Sequence, residues 1–359
     1  MPSSLYIHIP FCKKICTYCD FPKVLYAPSW AFSYIESLLE DLKDHDGPYQ
    51  TIYIGGGTPT ALGLPLLRKL LSALEKKLAP NGEFSIEGNP DSLSEEVLDC
   101  LLSHKINRLS LGAQTSNGRF LSYLGRTHTF EDVRKAVSLA KRKGMENINV
   151  DMMYGFEGET KEDIEKDIEA FLSLNVPHLS AYSLQVEEGT ILYRKKAKQD
   201  DDLAASLYEI IVPALEKAGY RRYEVSNFCR PSYECKHNLT YWKDEEYDAI
   251  GLGASGYTNG RRYTYTRNLT RYLRDKTLEY EEVVSKEDDI KYYLTTNLRL
   301  ADGFALDAFK ARFGFAFEER YSKEIKQAEK EGLLTIFGGN CKASGKGLYL
   351  LDRILLLFY

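Results

Sequence analysis

The chain has 359 residues, 43% of them hydrophobic, with 47 Lys and Arg against 52 Asp and Glu for a net charge of -5. That composition suits a globular protein and excludes disordered and collagen-like chains. The mildly acidic balance gives no electrostatic footprint for nucleic acid, and no apolar run approaches the roughly 20 residues of a membrane span.

The start, Met1-Pro-Ser-Ser-Leu-Tyr6, has no basic region followed by an apolar one, so no secretory signal is expected and the location is expected to be cytoplasmic. In chain order, the first half alternates short apolar strands with amphipathic helices. Strands are predicted at Leu5–Ile9, Thr51–Ile54, Glu83–Glu87, Arg108–Gly112, Asn147–Met153 and His178–Leu184. Helices are predicted between them at Trp30–Leu42, Pro65–Leu78, Ser94–Ser103, Phe130–Lys143 and Lys161–Ser173. Ser94 before Glu95 and Glu96, and Thr160 before Glu162 and Asp163, read as helix starts. Repeated strand–helix alternation predicts parallel βα units. Six strands are too few for a closed eight-stranded barrel and predict an open one, a partial (β/α)6 TIM-like barrel of class α/β. The core is expected over 1–200. An extension over 201–280 opens with a helix at Leu203–Lys217 and is rich in Tyr, and an α-rich C-terminal domain is expected over 281–359.

Seven cysteines carry the strongest chemical signal. An odd number in a chain without a secretory signal argues against a disulfide framework. Three of them, Cys12-Lys-Lys-Ile-Cys16-Thr-Tyr-Cys19, form a C-x3-C-x2-C run in a strand-to-helix loop. Soft thiolates in that density select an iron–sulfur cluster or zinc. A structural zinc site wants four ligands, with His8 the nearest other candidate. A cubane held by three cysteines would leave one iron open to an outside ligand.

This spacing resembles the radical S-adenosylmethionine (SAM) superfamily. Further runs sharpen the likeness: Tyr6-Ile-His-Ile-Pro-Phe-Cys12, Gly55-Gly-Gly-Thr-Pro-Thr60, Glu87-Gly-Asn-Pro90, Arg108-Leu-Ser-Leu-Gly-Ala-Gln114, Leu124-Gly-Arg-Thr-His128 and Asp151-Met-Met-Tyr-Gly155. Together they resemble the branch that holds oxygen-independent coproporphyrinogen III oxidases and HemW-type heme chaperones. The resemblance implies a 4Fe–4S cluster on Cys12, Cys16 and Cys19, with SAM chelated by the open iron. It further implies SAM contacts at Tyr6, Tyr18, Gly56, Gly57, Thr58, Glu87 and Asp151, while Gln114 and Arg126 match positions that touch a second SAM in the oxidases. Glycine admits close backbone approach, and an acidic side chain at a strand's end can accept from ribose hydroxyls.

Within the branch, the oxidases continue their cluster run as Cys-x-Cys and carry an N-terminal extension. Here Phe21 stands at that cysteine's position, and a phenyl ring can neither ligate iron nor give a proton. The run His237-Asn-Leu-Thr-Tyr-Trp242 resembles the heme-binding segment of the HemW type, which implies heme as a third cofactor with His237 as its axial ligand. The expected function is therefore that of a radical SAM heme chaperone, with SAM cleavage to a 5′-deoxyadenosyl radical open and coproporphyrinogen oxidation the alternative. The implied partners are a heme-acceptor apoprotein, such as a respiratory enzyme, and a flavodoxin or ferredoxin-like electron donor.

Overall fold

The structure, a computed structural model, describes residues 2–359. Six strands run parallel in chain order: β1 (Ser4–Ile9), β2 (Tyr49–Gly56), β3 (Leu78–Gly88), β4 (Arg108–Gln114), β5 (Asn147–Tyr154) and β6 (His178–Ser183). Between them lie α1 (Pro28–Asp41), α2 (Leu64–Leu74), α3 (Glu95–Ser103), α4 (Phe130–Arg142) and α5 (Lys161–Ser173). This is the open βα barrel that the alternation predicts. The expected helix starts are present, with Ser94 Oγ accepting from Val97 N and Thr160 forming a reciprocal cap with Asp163. The helix expected to reach Leu78 stops at Leu74, and β3 begins at Leu78.

Each strand sorts its side chains by parity. Leu5, Ile7 and Ile9 of β1, Leu109, Leu111 and Ala113 of β4, and Ile148, Val150 and Met152 of β5 join the apolar core. The alternate residues face the barrel interior, and they are polar: Ser110 and Gln114 of β4, Asn149 and Asp151 of β5, His178 and Ser180 of β6. Successive side chains of a strand point to opposite faces, so this parity holds along its length.

The segment 201–280 does more than extend the chain. After α6 (Asp201–Lys217), the short strands β7 (Arg221–Arg222) and β8 (Asn227–Cys229) add to the sheet, β8 pairing antiparallel to β6. Strand β9 (Asp248–Ile250) pairs parallel to β1 at the opposite edge. Both edges of the partial barrel are therefore covered by residues from this segment, which limits edge-to-edge association. Between β8 and β9, α7 (Lys236–Trp242) packs against β2, and Glu83 of β3 accepts from the backbone N–H groups of Lys236 and His237 at 3.1 Å each. The carboxylate thereby satisfies two donors of the helix's first turn.

The C-terminal part has its own core, from Ile290 to Phe358. It is helical at Lys286–Asn297, Leu306–Phe313 and Leu351–Phe358, with two further short helices, Phe317–Arg320 and Ser322–Lys330, meeting at Tyr321. A small antiparallel sheet of Phe304–Ala305, Asn340–Ala343 and Leu334–Phe337 accompanies the helices. Its hairpin turns on Gly338 and Gly339, both at positive φ, which glycine adopts without strain.

Glu83 accepts both the Lys236 and His237 N–H groups of the first turn of α7, and removing it would leave these donors unmet. Glu83→Ala is expected to lower stability by about 2–4 kcal/mol in urea unfolding, with Glu83→Gln recovering part of the loss.

Candidate functional site

The three cysteines sit in the loop between β1 and α1. Its entry is tied to the end of β2: Gly57 N donates to Ile9 O at 2.8 Å and Thr58 N to Phe11 O at 2.9 Å. Its exit is tied back on itself by Val24 N to Pro10 O and Tyr26 N to Cys12 O. Its middle is held from across the barrel, where Thr17 N donates to Leu124 O and Thr17 Oγ1 to Tyr123 O. Cys12 is buried, Cys16 and Cys19 are half-buried, and all three are free thiols.

The glycine triplet after β2 serves this loop. A Cβ on Gly57 would stand 2.8 Å from Cys12 Sγ and 2.8 Å from Phe11 O, and one on Gly56 would meet the His8 ring at 2.6 Å. Gly56 also has a φ of +118°, which side-chain-bearing residues avoid. The triplet is therefore required by the packing of the cysteine loop itself, and it leaves Thr58 at the cavity wall.

All three cysteines line one cavity of about 490 Å³, together with Tyr18, Glu87 and Arg126. Gly56, Gly57, Thr58, Gln114 and Asp151 line the same cavity. Burial pushes the Cys12 thiol up to about 11 and raises that of Cys19, so both stay protonated until the charge of a bound cation displaces their protons. Among the described residues, no three His, Cys, Asp or Glu side chains close around a single ion. A cubane asks for no such closure, since each thiolate binds a different iron. Three soft donors facing one cavity fit an iron–sulfur cluster.

The polar wall around the thiols is ordered by its own bonds. Tyr53 Oη donates to Glu87 Oε1 at 2.9 Å and Gly56 N to Glu87 Oε2 at 2.9 Å. Burial nevertheless raises the Glu87 carboxyl to about 7, against the lowering effect of those two donors. Asp151 accepts from Asn149 Nδ2 at 2.7 Å, and burial raises its carboxyl too. Arg126 donates to Asn89 Oδ1 at 2.8 Å and to Tyr18 Oη at 2.7 Å, leaving its Nε buried without a partner. Gln114 sits at a strand irregularity with φ of +72°, a strained backbone of the kind found at ligand sites.

Two of the expected residues lie elsewhere. Tyr6 is behind the wall, its hydroxyl bonded to His8 Nδ1 at 3.0 Å and its ring stacked on Tyr53 at 6.2 Å between centroids. His237 is 0% exposed, with Nδ1 bonded to Thr51 Oγ1 and Nε2 to Tyr241 Oη, both at 2.7 Å. Its ring stacks on Tyr53 at 5.2 Å. With both nitrogens engaged and the ring outside the cavity, His237 presents no free nitrogen to the cysteine cavity in this conformation. Burial drives its imidazole down to about 3, so it stays neutral. Phe21, by contrast, lines the cavity at its mouth and is 66% exposed.

Sequence reasoning missed the lower half of the cavity, which Arg108, Ser110, Asn149, His178 and Ser180 line. The signal was present. Parallel strands covered on both faces should read as near-continuous apolar runs, whereas Arg-Leu-Ser-Leu-Gly-Ala-Gln and Asn-Ile-Asn-Val-Asp-Met alternate polar with apolar.

Residues 6–171 match the model of the radical SAM superfamily, and residues 284–350 match that of the HemN C-terminal domain. The chain is 41% identical over 344 residues to the heme chaperone HemW of Lactococcus lactis, covering 93% of this chain and 91% of the relative. It is 33% identical over 372 residues to the heme chaperone HemW of Escherichia coli, covering 99% and 98%. Among solved structures, the coproporphyrinogen III oxidase HemN of Escherichia coli, described as a radical SAM enzyme, superposes with a TM-score of 0.86 at 22% identity, covering 99% of this chain and 90% of that one. That likeness is one of fold. From the full-length identity to its relatives and the superfamily match over the barrel, the chain belongs to the HemW family of the radical SAM superfamily.

Proposed function

We propose that this protein is a heme chaperone that carries a 4Fe–4S cluster, binds SAM beside it, and hands heme to an acceptor apoprotein. The observation that carries the reading is the likeness, along nearly the whole chain, to proteins named heme chaperone HemW. Cys12, Cys16 and Cys19 would hold the cluster, which supplies an electron and an open coordination site for SAM. The chain's own residues then position the ligand. The Gly56–Thr58 backbone lies along the cavity wall, Glu87 and Asp151 offer acceptors for ribose hydroxyls or an ammonium, and Gln114 and Arg126 offer donors. Arg126 holds Tyr18 in place between the last two cysteines.

Heme is assigned to the rim. At the mouth, Phe21 at 66% and Tyr182 at 40% exposure offer rings on which a porphyrin can stack. The acceptor would be an apoprotein such as a respiratory enzyme, and a flavodoxin or ferredoxin-like donor would supply the electron.

The deciding experiment uses anaerobically reconstituted protein. Heme titration is expected to give a saturable Soret change, and the bound heme to pass to apomyoglobin. Coproporphyrinogen III with SAM and reductant is expected to stay unchanged, so its catalytic oxidation to protoporphyrinogen would overturn the chaperone reading in favour of the oxidase. His237→Ala is expected to keep the heme Soret band.

Gly57→Ala should cut iron loading by more than half with unchanged far-UV circular dichroism, because the new Cβ collides with Cys12 and Phe11. Gly118→Ala, which meets open space, should load normally. Glu87, raised to about 7, is protonated below that pH and accepts fully only above it. SAM affinity should therefore rise with pH toward 7, by roughly tenfold per pH unit at most, and level off above. Equilibrium dialysis between pH 6 and 8 measures this, and Glu87→Gln should flatten the profile.

A further inference from the structure

The floor of the barrel holds a cation with no carboxylate in ion-pair contact among the described residues. Arg108, the first residue of β4, is 2% exposed, yet it lines the cavity. Its Nη1 donates to Asn147 Oδ1 at 2.7 Å and to the Tyr233 carbonyl at 3.4 Å, while its Nε has no partner. Among the described residues, no carboxylate oxygen lies within the 4.0 Å of an ion pair with it.

The acidic groups nearby are committed elsewhere. Glu83 spends Oε1 on His237 N and Cys235 Sγ, and Oε2 on Lys236 N. Asp151 is held by Asn149, and the strand register sets it level with Gly112, four residues further along β4 than Arg108. The remaining floor is neutral. His178 is bonded through Nδ1 to Asn149 Oδ1 at 2.6 Å and through Nε2 to Tyr223 Oη at 2.9 Å, and burial keeps it uncharged. Ser180 donates to Asn227 Oδ1 at 2.7 Å.

A buried guanidinium with open N–H donors is costly unless an anion completes it. Its planar fork matches a carboxylate with two parallel hydrogen bonds. The cavity connects it to the rim along Ser110 and Gly112 of the same strand.

We propose that Arg108 forms a carboxylate-binding subsite at the barrel floor, below the SAM region, for an anionic group lowered from the rim. Two sources share that chemistry: a propionate arm of a bound tetrapyrrole, which rests on the heme reading above, and a free small carboxylate, which does not.

The test uses cluster-loaded protein, wild type, Arg108→Gln and Arg108→Lys, each checked for iron content and circular dichroism. Heme and its dimethyl ester are titrated in parallel, and thermal melting is followed in sodium propionate against equal sodium chloride. With a propionate arm as the source, Arg108→Gln weakens heme by about tenfold or more and leaves the ester unchanged, while Arg108→Lys falls between. With a free carboxylate as the source, heme is unaffected, and propionate raises the melting temperature of wild type but not of Arg108→Gln. If wild type binds no heme, the heme reading falls and the propionate arm still decides the subsite. Should Arg108→Gln fail to fold, wild type and Arg108→Lys carry the comparison. Equal affinity of wild type for heme and its ester, together with no propionate effect beyond chloride, would overturn the proposal.

Discussion

The whole site depends on the parity of six parallel strands, apolar toward the helices and polar toward the axis. Closed βα barrels fill their interior with layers of branched apolar side chains. Six strands with covered edges enclose a space that such layers do not fill here, and its walls are Ser, Asn, Asp, His and Arg. Polar groups inside a protein must be bonded or they destabilise it. Most of these are bonded among themselves: Ser4 to Thr51 and Thr240, Asn149 to Ser110 and Asp151, Ser180 to Asn227. The exceptions are informative. Arg126 Nε at the rim and Arg108 Nε at the floor are buried without partners, and burial holds Glu87 and Asp151 short of easy ionisation. Two unmet guanidinium donors of the barrel thus belong to residues that line its cavity.

The rim adds a second constraint, the close approach of two chain segments. The loop carrying Cys12, Cys16 and Cys19 crosses over the end of β2 so tightly that Gly56 and Gly57 have no room for a Cβ. The same turn gives Glu87 one of its two donors, through Gly56 N. Thiols and carboxylate are therefore set by one piece of backbone, and a shift in either is felt by both. Arg126 performs the matching task from across the cavity, through Asn89 on one side and Tyr18 on the other.

Much of this was legible in the sequence because it is local. The cysteine spacing, the six strands and the five intervening helices follow from patterns within windows of a dozen residues. What escaped depends on distant pairing. Strands β8 and β9 are three residues each, and nothing in Asn227–Cys229 or Asp248–Ile250 announces that they pair with β6 and β1. The small C-terminal sheet could have been suspected from Gly338-Gly339, a hairpin signal that the surrounding helical pattern outweighed. The polar floor was legible as well, since polar alternation in a parallel strand contradicts burial against apolar layers on both faces.

His237 is bound into the barrel more firmly than its sequence segment announces. A free imidazole is a good iron ligand, but here α7 turns the ring into the barrel base, where Thr51 and Tyr241 take both nitrogens. The ring supports Tyr53, and Tyr53 donates to Glu87. The other end of the segment ties the C-terminal part to the barrel: Arg299 lies over the Trp242 ring at 4.8 Å, and buried Asp244 pairs with Arg262 at 2.5 Å and Arg312 at 2.7 Å. Removing one partner from a buried pair of that kind is strongly destabilising. The segment from His237 to Asp244 is thus a strut that sets the Glu87 carboxylate at one end and the C-terminal helices at the other. Moving His237 out to meet a heme iron would break two hydrogen bonds and unseat Tyr53, loosening the wall on which Glu87 rests.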